Sequence, residues 1–137
     1  MTGSPFRRLR RGIVALLLPA VLTGCGGAIS FGIGIGNGFD DTPPSVSIST
    51  PVTTIQAGQQ LTLVASASDD ESGIDDVIFY RVDGGTFTVL GSDGRSPYEW
   101  TTVVPTDGRT TLIVFARARD NAGNTADSQA ITIDVTP

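Results

Sequence analysis

The sequence predicts an all-β fold, a seven-stranded antiparallel sandwich of two packed sheets. Three observations carry that expectation. From Ser45 to the end there is no window of helical spacing, only short runs in which apolar and polar residues alternate, the period of a strand with one buried face. Turn residues punctuate those runs at Pro51, Gly58, Asp83-Gly84-Gly85, Pro105, Asp107-Gly108 and Asp120-Asn121, where they oppose further strand. The stretch 40–137 holds 98 residues, a size at which seven short strands close one core between two sheets.

Taken in order, Val46 and Ile48 alternate in the first strand. Leu61, Leu63, Ala65 and Ala67 alternate in the second, and an acidic loop, 69–76, follows. The run VIFYRV, 77–82, is the third strand and ends at Asp83-Gly84-Gly85, a hairpin signal because its glycines accept positive backbone angles. Thr86 to Leu90 returns as the fourth. Tyr98 and Trp100 share a face of the fifth, and Leu112, Val114, Ala116 and Ala118 share a face of the sixth. After the loop DNAGN, 120–124, Ile131, Ile133 and Val135 point one way on the seventh.

Four segments make the pattern more specific: Pro44-Ser45-Val46-Ser47-Ile48, Ala65-Ser66-Ala67-Ser68-Asp69, Ser96-Pro97-Tyr98 and Ala116-Arg117-Ala118-Arg119-Asp120-Asn121-Ala122-Gly123. Together they resemble bacterial immunoglobulin-like domains over nearly all of the span from Pro44 to Val135. The resemblance implies an immunoglobulin-like sandwich that lacks the cysteine pair of antibody domains. Such domains usually stand in tandem or beside catalytic modules of surface proteins, whereas this sequence carries a single copy. Val82 is one residue more than the family's VxFYxDG strand pattern holds. Either Val77/Phe79 or Ile78/Tyr80/Val82 therefore faces the core, and a bulge would reconcile the two.

Ahead of the domain, Arg7, Arg8, Arg10 and Arg11 precede an uncharged apolar run from Ile13 to Leu22, the layout of a signal peptide. The run is too short to cross about 30 Å of hydrocarbon as a permanent helix. Leu22-Thr23-Gly24-Cys25 resembles the lipobox of bacterial lipoproteins. That resemblance implies removal of residues 1–24 and a covalent lipid on Cys25, which would anchor the chain in a membrane. Gly26 stands where many lipoproteins kept at the inner membrane carry aspartate, so the expected location is the cell envelope, at the outer membrane in a two-membraned cell.

Residues 25–39 then form a glycine-rich tether. Ile29, Phe31, Ile33 and Ile35 alternate within it with small residues. This is the pattern of a strand that adds to a sheet edge or a partner chain, of a segment resting among headgroups, or of a flexible spacer whose apolar residues are incidental. Asp40, Asp41, Pro43 and Pro44 mark the boundary of the domain, 40–137.

Charge narrows the partners. All nine basic residues are arginine, four of them precede residue 12, and all fourteen acids lie at or beyond Asp40. The chain from Cys25 on thus sets five arginines against fourteen acids, a net charge of −9. It would be repelled by nucleic acid. The chain has no histidine, no lysine and no cysteine besides Cys25, which excludes Ser-His and Cys-His nucleophiles, lysine Schiff bases and the usual zinc sets. No enzyme is expected.

Two candidate sites remain. An immunoglobulin-like topology gathers the domain's first residues and two acidic loops at one pole, with Asp40, Asp41, Asp69, Asp70, Glu71, Asp120, Asn121 and Asn124. Calcium takes six to eight oxygens of these kinds, so Asp69, Asp70, Glu71, Asp120, Asn121 and Asn124 are its candidate ligands. The structural alternative is that Asp69 and Asp120 accept hydrogen bonds from their own loops. The second site follows from parity. If Ala116 and Ala118 face inward, Ile113, Phe115, Arg117 and Arg119 face outward beside one apolar set of VIFYRV, as a contact surface or a seat for the tether. The expected function is a non-catalytic protein-interaction or adhesion module on a membrane-anchored envelope lipoprotein, with a protein or glycan ligand. The alternatives are a structural accessory of an envelope assembly and a carbohydrate- or calcium-binding module.

Overall fold

The computed structural model describes residues 39–137, so the signal peptide, Cys25 and the alternating segment 29–35 lie outside the described residues. Among the described residues there are nine strands: β1 Ser45–Ser49, β2 Thr54–Gln56, β3 Gln60–Ser68, β4 Ile74–Asp83, β5 Thr86–Asp93, β6 Tyr98–Val103, β7 Thr111–Asp120, β8 Thr125–Asp127 and β9 Ile131–Thr136. The smaller sheet runs β1-β3-β6. The larger runs β2-β9-β7-β4-β5, with β8 beside the far half of β7.

The sandwich is the one that alternation predicts, with two corrections. The strands number nine rather than seven, because β2 and β8, three residues each, read in the sequence as turn and loop. Pairing is also not wholly antiparallel, since β2 runs parallel to β9. A three-residue strand offers one inward side chain and so has no period to detect.

The core lies between the sheets. Leu61, Leu63 and Ala65 of β3 face Val77 and Phe79 of β4, Leu112, Val114, Ala116 and Ala118 of β7, and Ile133 and Val135 of β9, all of them buried. The hairpin after β4 turns on Gly84 and Gly85, with φ of 57° and 89°, angles that cost glycine little.

A bulge settles the facing of VIFYRV. Phe79 pairs with Gly91 and Tyr80 with Val89, so the extra residue, Leu90, belongs to β5 and not to β4. Val77 and Phe79 are inward and fully buried, while Ile78, Tyr80 and Val82 turn outward opposite Arg117, Phe115 and Ile113. The two aromatic residues of β6 differ. Tyr98 is buried against Ala65, its register partner. Trp100 is half-buried and lies on bare backbone: a Cβ at Gly91 would meet its indole at 2.1 Å. That glycine is required by close approach.

Candidate functional site

Two regions concentrate chemistry, the outer face of the larger sheet and the pole where the chain enters the domain. The outer face is built by register. Across β5, β4 and β7, Val89 stands beside Tyr80 and Tyr80 beside Phe115, while Phe87 stands beside Val82 and Val82 beside Ile113. Period-two alternation has put an apolar row on each side of β4 and β7. Tyr80 stacks on Phe115 with ring centroids 4.9 Å apart, and Phe87 meets Phe115 edge-on at 5.0 Å.

Phe115 therefore faces outward, as parity predicts, yet it is buried, because its own neighbours cover it. Exposure passes to the covering residues: Phe87 is 56% and Val89 59% exposed. Both lie on β5, the outermost strand of the larger sheet. Sequence parity could not find them, since β5 has no buried alternation of its own.

The same face ends in paired charges. Arg117 sits 5.5 Å from the Tyr80 ring centre and holds Asp127 with two bonds of 2.6 and 2.8 Å. Arg119 is exposed and bridges Asp75 at 2.8 Å and Asp76 at 3.1 Å. A second bulge makes this double grip possible, because Asp75 is the extra residue between the pairs Ile74–Asp120 and Asp76–Arg119.

At the pole, Asp69 ends β3 in a tight turn: its Oδ1 accepts the backbone N–H groups of Glu71, Ser72 and Gly73 and the Ser72 hydroxyl. Asp120 does the same after β7, with Oδ1 accepting from Ala122 and Asn124 at 2.9 and 2.8 Å. Its Oδ2 accepts the Asn124 side-chain amide at 2.8 Å. Burial alone would push both carboxyls up, but these donors outweigh it and hold both below the ordinary carboxylate range. Both are ionised at neutral pH.

The two loops and the entering segment are tied together. Asn121 donates to the carbonyls of Ser72 and Gly73, and Asn124 to those of Asp40 and Thr42. Glu71 accepts from the Thr42 hydroxyl. Asp40, Asp69 and Asp120 each bring a carboxylate oxygen to within 4.8 Å of the others. Asp70 is exposed and stands outside that group.

The family described as bacterial Ig domain matches residues 44–135. This chain belongs to that family. Among solved structures, the Ig domain resembles the fibronectin(III)-like modules of CbhA from Clostridium thermocellum, with 24% identity and a TM-score of 0.53 over 68% of this chain and 45% of that one. It also resembles a chain from a structure of T cell specificity and activation by the bacterial superantigen toxic shock syndrome toxin-1, with 11% identity and a TM-score of 0.52 over 68% of this chain and 99% of that one. Likeness at these identities concerns the fold. The chain spans less than half of the CbhA chain that it matches, and no curated protein matches it.

As an Ig domain, the molecule offers surface and loop chemistry. Its outer-face aromatic cluster suits contact with apolar groups, and its pole brings three carboxylates together among amide donors.

Proposed function

We propose that this chain is an envelope lipoprotein, held by lipid on Cys25, whose Ig domain works without catalysis as a protein-interaction module. The observation that carries the reading is the pair Phe87 and Val89, exposed at alternate positions of the edge strand β5. Among the described residues the β5 backbone pairs only with β4. Its other edge joins no strand of the sheet, and apart from the bulge at Leu90 it has no lysine or proline to guard it. The occupant that fits is an extended apolar segment of a partner protein. It would add a strand beside β5 and lay its side chains against Phe87, Val89 and the Tyr80–Phe115 stack.

A glycan ligand is less well supported, because Tyr98 is buried and Trp100 is folded onto Gly91, so neither serves as an exposed platform. The charged, apolar and small residues ahead of Cys25 follow one another in the order of an export signal, which supports lipid at that cysteine. With each buried methylene contributing about 0.8 kcal/mol, two chains suffice for stable anchoring.

One set of strains tests the reading. Crosslinked capture from the native envelope should yield one stoichiometric partner with the unaltered chain, and the doubly altered Phe87→Ser, Val89→Ser chain should lose it while keeping its melting temperature within a few degrees. Retention of that partner would reject β5 as the site. A crosslink from β5 to β5 of a second copy would replace the partner with self-association. Deleting residues 29–35 decides between module and structural accessory: an accessory that docks through the tether loses its partner on deletion. Cys25→Ala should release the chain from the membrane fraction.

A further inference from the structure

Among the described residues, the edge of β5 away from β4 joins no strand, and its two sides are unlike. On the outer side the cross-strand rows Ile113–Val82–Phe87 and Phe115–Tyr80–Val89 end at this edge, and their last members are the exposed ones. A side chain set beyond either would lengthen an apolar row. On the inner side, between Phe87 and Val89, stands Thr88, the register partner of Arg81. Thr88 donates its hydroxyl to Asp83 at 3.2 Å, and the same carboxylate takes Arg81 at 2.6 Å and Arg109 at 2.9 Å. Arg109 also holds Asp107, so two arginines face two acids and the four charges cancel.

The bulge limits the length of the edge. Leu90 breaks the register between β5 and β4, and a bulge bends the strand that carries it. Past it, Gly91 lies against the indole of Trp100. The regular part of the edge is Thr86 to Val89, four residues and about 13 Å of strand at about 3.3 Å each.

We propose that β5 takes up a short extended segment of a partner protein in which two apolar residues stand two apart, with an uncharged polar residue between them. The inference rests on the reading of β5 as the interaction edge and adds the sequence that the partner must carry. Residues two apart share one face of a strand, so the partner's apolar pair would continue the rows that end at Phe87 and Val89. Its central residue would turn inward beside Thr88. A charge there would leave water for a network whose own charges already cancel. A large aliphatic residue would cover the partly exposed Arg81 and Asp83 and take from them the water that completes their hydrogen bonding. A helix fits neither side, since it repeats its apolar residues every three or four and offers the edge no backbone donors.

The test places a photoreactive phenylalanine analogue at the exposed Thr86 of the full chain in its native envelope and reads the crosslinked segment by mass spectrometry. That segment should hold two apolar residues around a serine, threonine, asparagine or glutamine. Made as a fluorescent peptide, it should bind the full chain in detergent, and aspartate at its centre should weaken binding about tenfold or more. Leucine at its centre should also weaken binding, and in Thr88→Val, whose inner side is less polar, the leucine peptide should gain on the original. No crosslinked protein at Thr86, or a partner that survives Phe87→Ser with Val89→Ser, would remove β5 as the site and this inference with it. A crosslink to β5 of a second copy would overturn both as well. A partner that is captured at β5 and lost in the double variant, but whose segment has helical spacing or a charged centre, would keep the site and overturn the inference. Equal binding of the aspartate peptide would do the same.

Discussion

The two ends of the sandwich both gather carboxylates, and they balance them in different ways. At the hairpin end, Asp83 takes Arg81 at 2.6 Å and Arg109 at 2.9 Å, and Arg109 also holds Asp107. At the entry end, Asp40, Asp69 and Asp120 converge with no arginine among them. The first end is neutralised by the chain's own cations. The second leans on loop amides, which supply hydrogen bonds but carry no formal charge. Guanidinium pairs can be assembled or released at small cost because they stay near water, whereas a buried carboxylate is bound to its donors for as long as the loop is folded. The hairpin end is held by formal charges of both signs, and the convergent carboxylates of the entry end by uncharged donors.

The sharpest way to break this contrast is to remove one carboxylate from each end. Asp120 is 1% exposed and satisfies the backbone of Ala122 and Asn124 together with the Asn124 amide. Asp120→Ala would strand those donors inside the fold. Asp83→Ala frees two arginines whose side chains are already about one-fifth exposed, and water takes over. In urea melts the loss of stability should be at least about twofold larger for Asp120→Ala than for Asp83→Ala. Equal losses would mean that the loop amides matter no more than the surface pairs.

Much of this was legible in the sequence, and the exceptions have physical causes. The strands with a buried row, such as Leu61 to Ala65 and Leu112 to Ala118, declare themselves by period two. β2 and β8 do not, because each is held by its neighbour's backbone and not by a pattern of its own. The outward turn of Ile113, Phe115, Arg117 and Arg119 follows from parity. That Phe115 is covered, and that Phe87 and Val89 are the exposed part, depends on which strand lies at the edge and on a bulge at Leu90. The pole was legible from Ala-x-Ala-x-Asp occurring twice. Which acids converge was not: Asp40 joins Asp69 and Asp120 while Asp70 stays out, a choice made by loop geometry.

Acid separates the ends less sharply. The carboxyls of Asp69, Asp83, Asp93, Asp107, Asp120 and Asp127 all lie below their ordinary value of 3.8, and Arg109 holds Asp107 at about 2. A carboxyl lowered by folding contributes stability that is complete above its unfolded value and lost as pH falls through its folded value. With no histidine in the chain, nothing ordinary titrates between about pH 5 and 8. The melting temperature should therefore stay level from about pH 8 to 5, then fall from about pH 4 towards 2. Asp107→Asn should remove the part of the fall nearest pH 2. A step near neutrality would contradict this assignment.

The smallest effect is also the one in which the two ends should move in opposite directions. Salt shortens the reach of exposed charges from about 10 Å at 0.1 M to about 3 Å at 1 M. At the hairpin end it weakens attraction, so Arg109→Met, a loss of about 1 kcal/mol or less at low salt, should shrink towards zero in 1 M sodium chloride. Among Asp40, Asp69 and Asp120 at the entry end there is only repulsion to weaken, and the same salt should relieve it. Asp40→Asn removes part of that repulsion beforehand and should reduce the salt response, whereas Asp70→Asn, outside the convergent group, should change it less. If Asp40→Asn and Asp70→Asn respond to salt alike, the entry end is merely a region of high negative charge. If only Asp40→Asn differs, the repulsion is local to the three oxygens, which distinguishes a built cluster from the general acidity of a domain with fourteen acids.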